Sequence, residues 1–157
     1  ISAGAPMGGS VLILGRPGSG KTTLLRDLIR MRAGAGRGSV AVVDERSELF
    51  PTYQGKCCFS PGTRTDILSG CPKQQGIDIL LRTMGPATIA VDEITAKVDC
   101  DSLLLALWFG VDLLATAHAA DREDLFHRPV YRPIIDSHLF DTLVIMQPDK
   151  SWRAERM

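Results

Sequence analysis

The chain has 157 residues, about one domain's worth, and 45% of them are apolar, enough for a buried core without disulfide or metal support. Its 18 basic and 18 acidic side chains cancel, which argues against a general nucleic-acid binder or a polybasic membrane anchor. The 15 glycines and 9 prolines are too few and too scattered for a low-complexity chain, and the longest strongly apolar run, Ser102 to Val111, is about half a bilayer span, so a soluble globular domain is expected.

Residues 1–10 lack the basic and apolar regions of a signal peptide and read as a flexible amino-terminal segment. The chain begins with Ile1 rather than an initiator Met, so it reads as a fragment or a processed chain. A single domain is expected over residues 11–157. Val11 to Leu14 is an unbroken apolar run, the pattern of a strand buried on both faces of a parallel sheet. After a Gly-rich turn, Leu24, Leu25, Leu28 and Ile29 mark one face of a helix from about Lys21 to Arg32. Val40 to Val43 reads as a second buried strand, and residues 44–70, rich in Gly and Pro, as long loops. Ile77, Leu80, Leu81 and Met84 recur at helical spacing behind Pro72. Thr88 to Val91 is the third strand, Leu103 to Phe109 an apolar helix opened by Asp101-Ser102, and Leu113 to Ala117 the fourth strand. Short helical pieces fill 121–139, Leu143 to Met146 is the fifth strand, and a hairpin partner is expected near Trp152. Alternating strands and helices predict a mostly parallel α/β sheet flanked by helices.

Four cysteines, Cys57, Cys58, Cys71 and Cys100, include no C-x-x-C pair and point to reduced thiols in a cytosolic protein rather than to a zinc site or a disulfide scaffold.

The chemistry concentrates in Gly15-Arg16-Pro17-Gly18-Ser19-Gly20-Lys21-Thr22, a complete G-x-x-x-x-G-K-[ST] followed by Thr23. Glycines let such a loop turn its N–H groups inward as an anion nest at a helix N-terminus. Lys21 then reaches the β and γ phosphates of ATP, and the Thr22 hydroxyl takes Mg²⁺. The third strand runs into Asp92 and Glu93, a carboxylate for the Mg²⁺ shell and one to polarise an attacking water. In the P-loop class with an additional strand and a catalytic Glu, a third strand separates the two motif strands in the sheet. The acidic pair fits that hydrolytic class, a RecA-like fold. Glu45, also at a strand end, competes for the role of base, and His118 at the fourth strand's tip can report on the γ-phosphate. No arginine stands next to Asp92 and Glu93 in the chain, so Arg64 and Arg82 are the candidates to stabilise developing charge, supplied from a neighbouring subunit.

With Val42 to Glu48, Arg64-Thr65-Asp66, Gly70-Cys71-Pro72-Lys73, Thr88 to Ile94 and Thr116-Ala117-His118 added, the chain resembles the ATPase domain of the stage III sporulation AA family. That family is similar to the hexameric ATPases of type II and type IV secretion and of pilus retraction. The resemblance implies a RecA-like P-loop NTPase and Mg²⁺-dependent ATP hydrolysis in a homo-oligomeric ring. It also implies work on a membrane-embedded channel from the mother-cell cytoplasm, with no nucleic acid as partner. Glu45 falls in the secretion ATPases' acidic box and His118 in their histidine box. Where those ATPases often have Gly this chain has Asp92, and where they have an Arg-Asp pair it has Thr95-Ala96. Their amino-terminal domain has no counterpart in the 14 residues before Gly15. Two other readings stay open: a nucleotide-controlled assembly module without hydrolysis, and a RecA-like nucleic-acid motor.

Overall fold

The computed structural model describes Pro6 and residues 8–157. Seven strands form one sheet: β1 (Val11–Leu14), β2 (Val40–Asp44), β5 (Thr65–Ser69), β6 (Thr88–Ile94), β7 (Asp112–Ala117), β8 (Thr142–Met146) and β9 (Trp152–Arg156), in the order β5-β2-β6-β7-β1-β8-β9. All neighbours are parallel except the closing β8–β9 hairpin. The helices are α1 (Lys21–Gly34), α2 (Lys73–Thr83), α3 (Lys97–Trp108), α4 (Arg122–His127) and α5 (Arg132–Asp136).

Successive strand residues point to opposite faces, so each central strand feeds two cores. Leu12 and Leu14 of β1, with Ala41, Val43, Ile89, Val91, Leu113 and Ala115, pack under α2, α3 and α5. Val11 and Ile13, with Val40, Val42, Ala90 and Leu114, pack under α1. The unbroken apolar runs in the sequence follow from burial on both sides.

As expected for the additional-strand class, a strand separates the two motif strands, and it is β7; β2, which lies between them in the chain, sits beyond β6. The loops expected over 44–70 are corrected in two places. Thr65–Ser69 is the outer strand β5, pairing with β2 from Val40↔Thr65 to Asp44↔Ser69. Its mixed polarity fits an edge position, half-buried and without an apolar run to announce it. Residues 52–57 form a small hairpin, β3 (Thr52–Tyr53) with β4 (Lys56–Cys57), turned by Gln54 and Gly55, both at positive φ.

Helix α3 starts at Lys97, well before Leu103. Its first turn is held by Asp99, whose Oδ2 accepts from the backbone N–H groups of Thr95 (2.9 Å) and Ala96 (3.1 Å). Strand β6 also runs past Val91 through an irregularity to the buried Ile94, so Asp92 and Glu93 lie in a bulge rather than beyond a strand end.

At the inner end of the segment expected to be flexible, 1–10, Gly9 and Ser10 are held by hydrogen bonds. Ser10 N donates to Asp141 (2.7 Å), its hydroxyl accepts from Leu113 N (3.0 Å), and Gly9 N donates to Asp112 (3.2 Å). Residues 1–5 and 7 lie outside the described residues.

Candidate nucleotide site

Because β1, β2, β6 and β7 run parallel, the residues that follow them gather at one edge of the sheet. The loop after β1 is shaped by its glycines: Gly18 and Gly20 have φ of 74° and 96°, and a Cβ at Gly15 would collide with Ser19 Oγ. The Ser19 hydroxyl is buried with no hydrogen-bond partner. A polar atom orphaned inside a Gly-rich turn at a helix N-terminus fits a bound phosphate oxygen, to which the hydroxyl would donate. Lys21 is buried, and its Nζ donates to the Arg16 carbonyl at 3.0 Å. Burial lowers its pKa while Asp92 and then Glu93 oppose the shift, so the ammonium is short of water and open to an anionic partner. Arg16 and Pro17 are exposed on the outside of the loop, and Thr23, also exposed, lines the adjoining cleft.

A chain of short contacts joins this loop to β6 and β7. Thr22 Oγ1 donates to Asp92 Oδ2 at 3.0 Å, and Thr116 Oγ1 donates to Asp92 Oδ1 at 2.6 Å. Thr116 Oγ1 in turn accepts from the Glu93 N–H at 2.8 Å, which pins the bulged backbone. Glu93 sits at φ 52°, a left-handed conformation that is costly for a residue with a side chain. Its carboxylate lies between His118 Nε2 (2.9 Å) and Arg46 Nη1 (3.5 Å). Thr22 and Asp92 together offer one hydroxyl and one carboxylate, the sparse protein ligand set that Mg²⁺ takes beside phosphate and water.

Of the residues singled out from sequence, Lys21, Thr22, Asp92, Glu93 and His118 come together. Glu45 lies on the same edge, but its carboxylate is bound to Lys73 Nζ at 3.1 Å; the same ammonium, almost wholly buried, lies 3.6 Å from Asp99. Asp44, next to it, accepts from the N–H groups of Glu48, Leu49 and Phe50 and shapes the following loop. Arg64 and Arg82 are elsewhere. Arg64 precedes β5 at the amino edge of the sheet, its carbonyl accepting from Val40 N, and Arg82 pairs with Asp78 at 2.7 Å on the exposed face of α2.

The expectation that no arginine stands beside the carboxylates is corrected by Arg46, which follows β2 and is brought to Glu93 by the β2–β6 pairing. Thr116 and Lys73 stand in stretches that carry the family resemblance, but no role is expected of either from sequence. For Lys73 a signal existed: a lysine in the first turn of a helix faces the positive end of the dipole, which implies carboxylates nearby. A cleft of about 580 Å³ opens beside the phosphate loop, bounded on its far side by Met146, Lys150 and Trp152.

The family model for sporulation stage III protein AA matches residues 6–154. The chain belongs to that family. Over 136 residues it is 39% identical to stage III sporulation protein AA of Bacillus subtilis (strain 168), an alignment covering 84% of this chain and 44% of that protein. Over 131 residues it is 30% identical to the protein SEEDLING PLASTID DEVELOPMENT 1 of Arabidopsis thaliana, covering 82% of this chain and 19% of that one. The chain thus spans less than half the length of either relative. Among solved structures, the ATPase DotB of Legionella pneumophila superposes with TM-score 0.63 at 17% identity, over 97% of this chain and 45% of that one. The VirB11 ATPase of the Brucella suis type IV secretion system, solved with sulphate, superposes with TM-score 0.66 at 16% identity, over 94% and 47%. The pilus retraction motor PilT with bound ADP gives 0.63 at 17%, over 88% and 42%. The fold of this sporulation-family domain is therefore that of the P-loop ATPases. Among the described residues no helix is long and apolar enough to cross a membrane.

Proposed function

We propose that this chain is the Mg²⁺-dependent ATP-hydrolysing domain of a secretion-type ring ATPase that supports endospore formation. The observation that carries the reading is the unbroken link from Thr22 through Asp92 and Thr116 to Glu93 and His118, at the lip of a loop holding an orphaned hydroxyl. Lys21 would exchange the Arg16 carbonyl for phosphate oxygens, gaining a charge-assisted bond in place of a neutral one. Thr22 and Asp92 would hold Mg²⁺, which supplies neutralisation of charge on the phosphate oxygens. Glu93 would orient the attacking water and accept its proton, with His118 and Arg46 fixing the carboxylate between them. Thr116 keeps the two carboxylates in a constant relation, because one hydroxyl bonds to the Asp92 side chain and the Glu93 backbone.

Family membership and the fold of secretion and pilus-retraction ATPases support a homo-oligomeric ring working on a membrane-embedded channel from the mother-cell side. Zero formal charge fits a motor that does not track nucleic acid. The deciding experiment is calorimetric titration of the full-length protein with Mg-ATP, followed by single-turnover hydrolysis with and without DNA. Lys21→Ala is expected to lose most ATP affinity with its circular dichroism unchanged; unchanged affinity would remove the nucleotide assignment. Binding without turnover would favour the assembly-module reading, and DNA-stimulated turnover the nucleic-acid motor.

A further inference from the structure

The phosphate loop accounts for one end of the 580 Å³ cleft; the other end is built by the β8–β9 hairpin. A cleft of that volume is in the range of small-ligand sites, roughly 300–1,000 Å³. Met146 closes β8 directly across from Trp152, the first residue of β9. It also packs onto the phosphate loop: a Cβ at Gly15 would come 3.0 Å from Met146 Cβ, and one at Gly20 would come 3.5 Å from Met146 Cε. The hairpin and the loop therefore form one wall. Trp152 is half-buried, packed against the core under α1 while still lining the cleft, whereas the chain's other tryptophan, Trp108, is 86% exposed on α3. The turn between the strands is tightly held: Gln147 N donates to the Ser151 carbonyl at 2.8 Å, and Asp149 accepts from Ser151 N at 3.0 Å. Lys150, at φ 66° within that turn, also lines the cleft.

We propose that this hairpin is the base-binding half of the nucleotide site, with Trp152 as the stacking platform, Met146 as the floor and Lys150 as a donor at the rim. The inference rests on the nucleotide reading above and adds to it where the base lies and how it is selected. An indole fixed on one side by the core is pre-organised to stack on a flat ring, and every base presents such a face. Stacking rewards ring area, so purine nucleoside triphosphates should bind more tightly than pyrimidine ones.

The test uses the full-length protein and two probes, Mg-ATP and Mg-tripolyphosphate, the second sharing the phosphates and lacking base and ribose. Trp152→Ala is expected to weaken ATP about tenfold, the scale of one lost base stack, and to leave tripolyphosphate unchanged, while Trp152→Phe keeps most of the ATP affinity. Equal loss for both probes would mean that Trp152 only braces the loop, and undiminished ATP binding would put the base elsewhere; either overturns the proposal. Photolabelling of the unmodified protein with 8-azido-ATP gives an answer that does not depend on a variant folding. Label in the peptide carrying Met146 to Trp152 supports the site, and label confined to other peptides overturns it. Tripolyphosphate that binds as tightly as ATP would remove the base site alone, whereas failure of both probes to bind would remove the nucleotide reading itself.

Discussion

Glu93 is held in a left-handed backbone conformation and clamped by His118 and Arg46, while Glu45, the other carboxylate at this edge, is tied to a buried lysine. A base must reach the attacking water, and Glu93 shares its bulge with Asp92, which bonds to Thr22 of the phosphate loop, whereas the Glu45 carboxylate is held at 3.1 Å by Lys73. Glu93→Gln is therefore expected to keep ATP binding and to lower single-turnover hydrolysis by roughly 10²–10⁴, the usual range for a lost general base. Glu45→Gln is expected to retain most turnover; the reverse pattern would exchange the two roles. Chemistry at a distant residue follows from burial too. Desolvation, with Asp99 and Asp101 adding to it, pushes the Cys100 thiol up to about 11. Below that pH it stays a thiol rather than the reactive thiolate, so iodoacetamide at pH 8 should label the exposed Cys57 and Cys58 and spare Cys100 in mass spectra of the folded protein.

At the scale of elements, what could be read from sequence was what is contiguous. The phosphate loop is eight adjacent residues between a buried strand and an amphipathic helix, and the strands of the sheet interior are apolar runs because helices cover both faces. The edge strand β5 escaped because one side of it meets solvent, and the first turn of α3 because its polar start, Lys97 to Asp101, carries no apolar stripe. Arg46 and Thr116 owe their positions to strand pairing between segments far apart in the chain, so no local pattern marks them, and for Lys73 the only local sign is its place in the first turn of α2. Lys73 joins three elements: it opens α2, pairs with Glu45 after β2, and approaches the Asp99 carboxylate that caps α3. Lys73 and Asp99 are buried while Glu45 is 39% exposed, and Asp99 keeps its bonds from Thr95 and Ala96, so losing the ammonium is expected to cost about 1–3 kcal/mol. Lys73→Ala should lower the unfolding free energy by an amount of that order in urea titration. A change within about 0.5 kcal/mol, the usual effect of a surface substitution, would show that water already satisfies Glu45 and Asp99.

For the ring proposed above the question is which cations act within a subunit and which between subunits. Arg46 is already beside Glu93. Arg64 is at the opposite edge of the sheet, and a five-residue strand such as β5 puts about 16 Å between the two edges. That span exceeds the reach of an arginine side chain, so Arg64 cannot serve its own phosphate loop and can serve only a neighbour's. Arg82 also lies on the outside, but its guanidinium is engaged by Asp78. A trans arginine is worth on the order of 10³–10⁵ in rate, which predicts specific activity that rises with protein concentration as the full-length chain assembles. Mixing variants separates the two cases. Arg64→Ala subunits keep an intact carboxylate site, and Glu93→Gln subunits keep an intact arginine, so a mixed ring should regain activity that neither variant shows alone. Arg46→Ala mixed with Glu93→Gln should stay inactive, because the arginine and the carboxylate it faces belong to one chain. Recovery in the Arg46→Ala mixture would place that arginine's contribution across the interface. Full activity at concentrations where sedimentation shows only monomer would make the subunit a self-sufficient hydrolase.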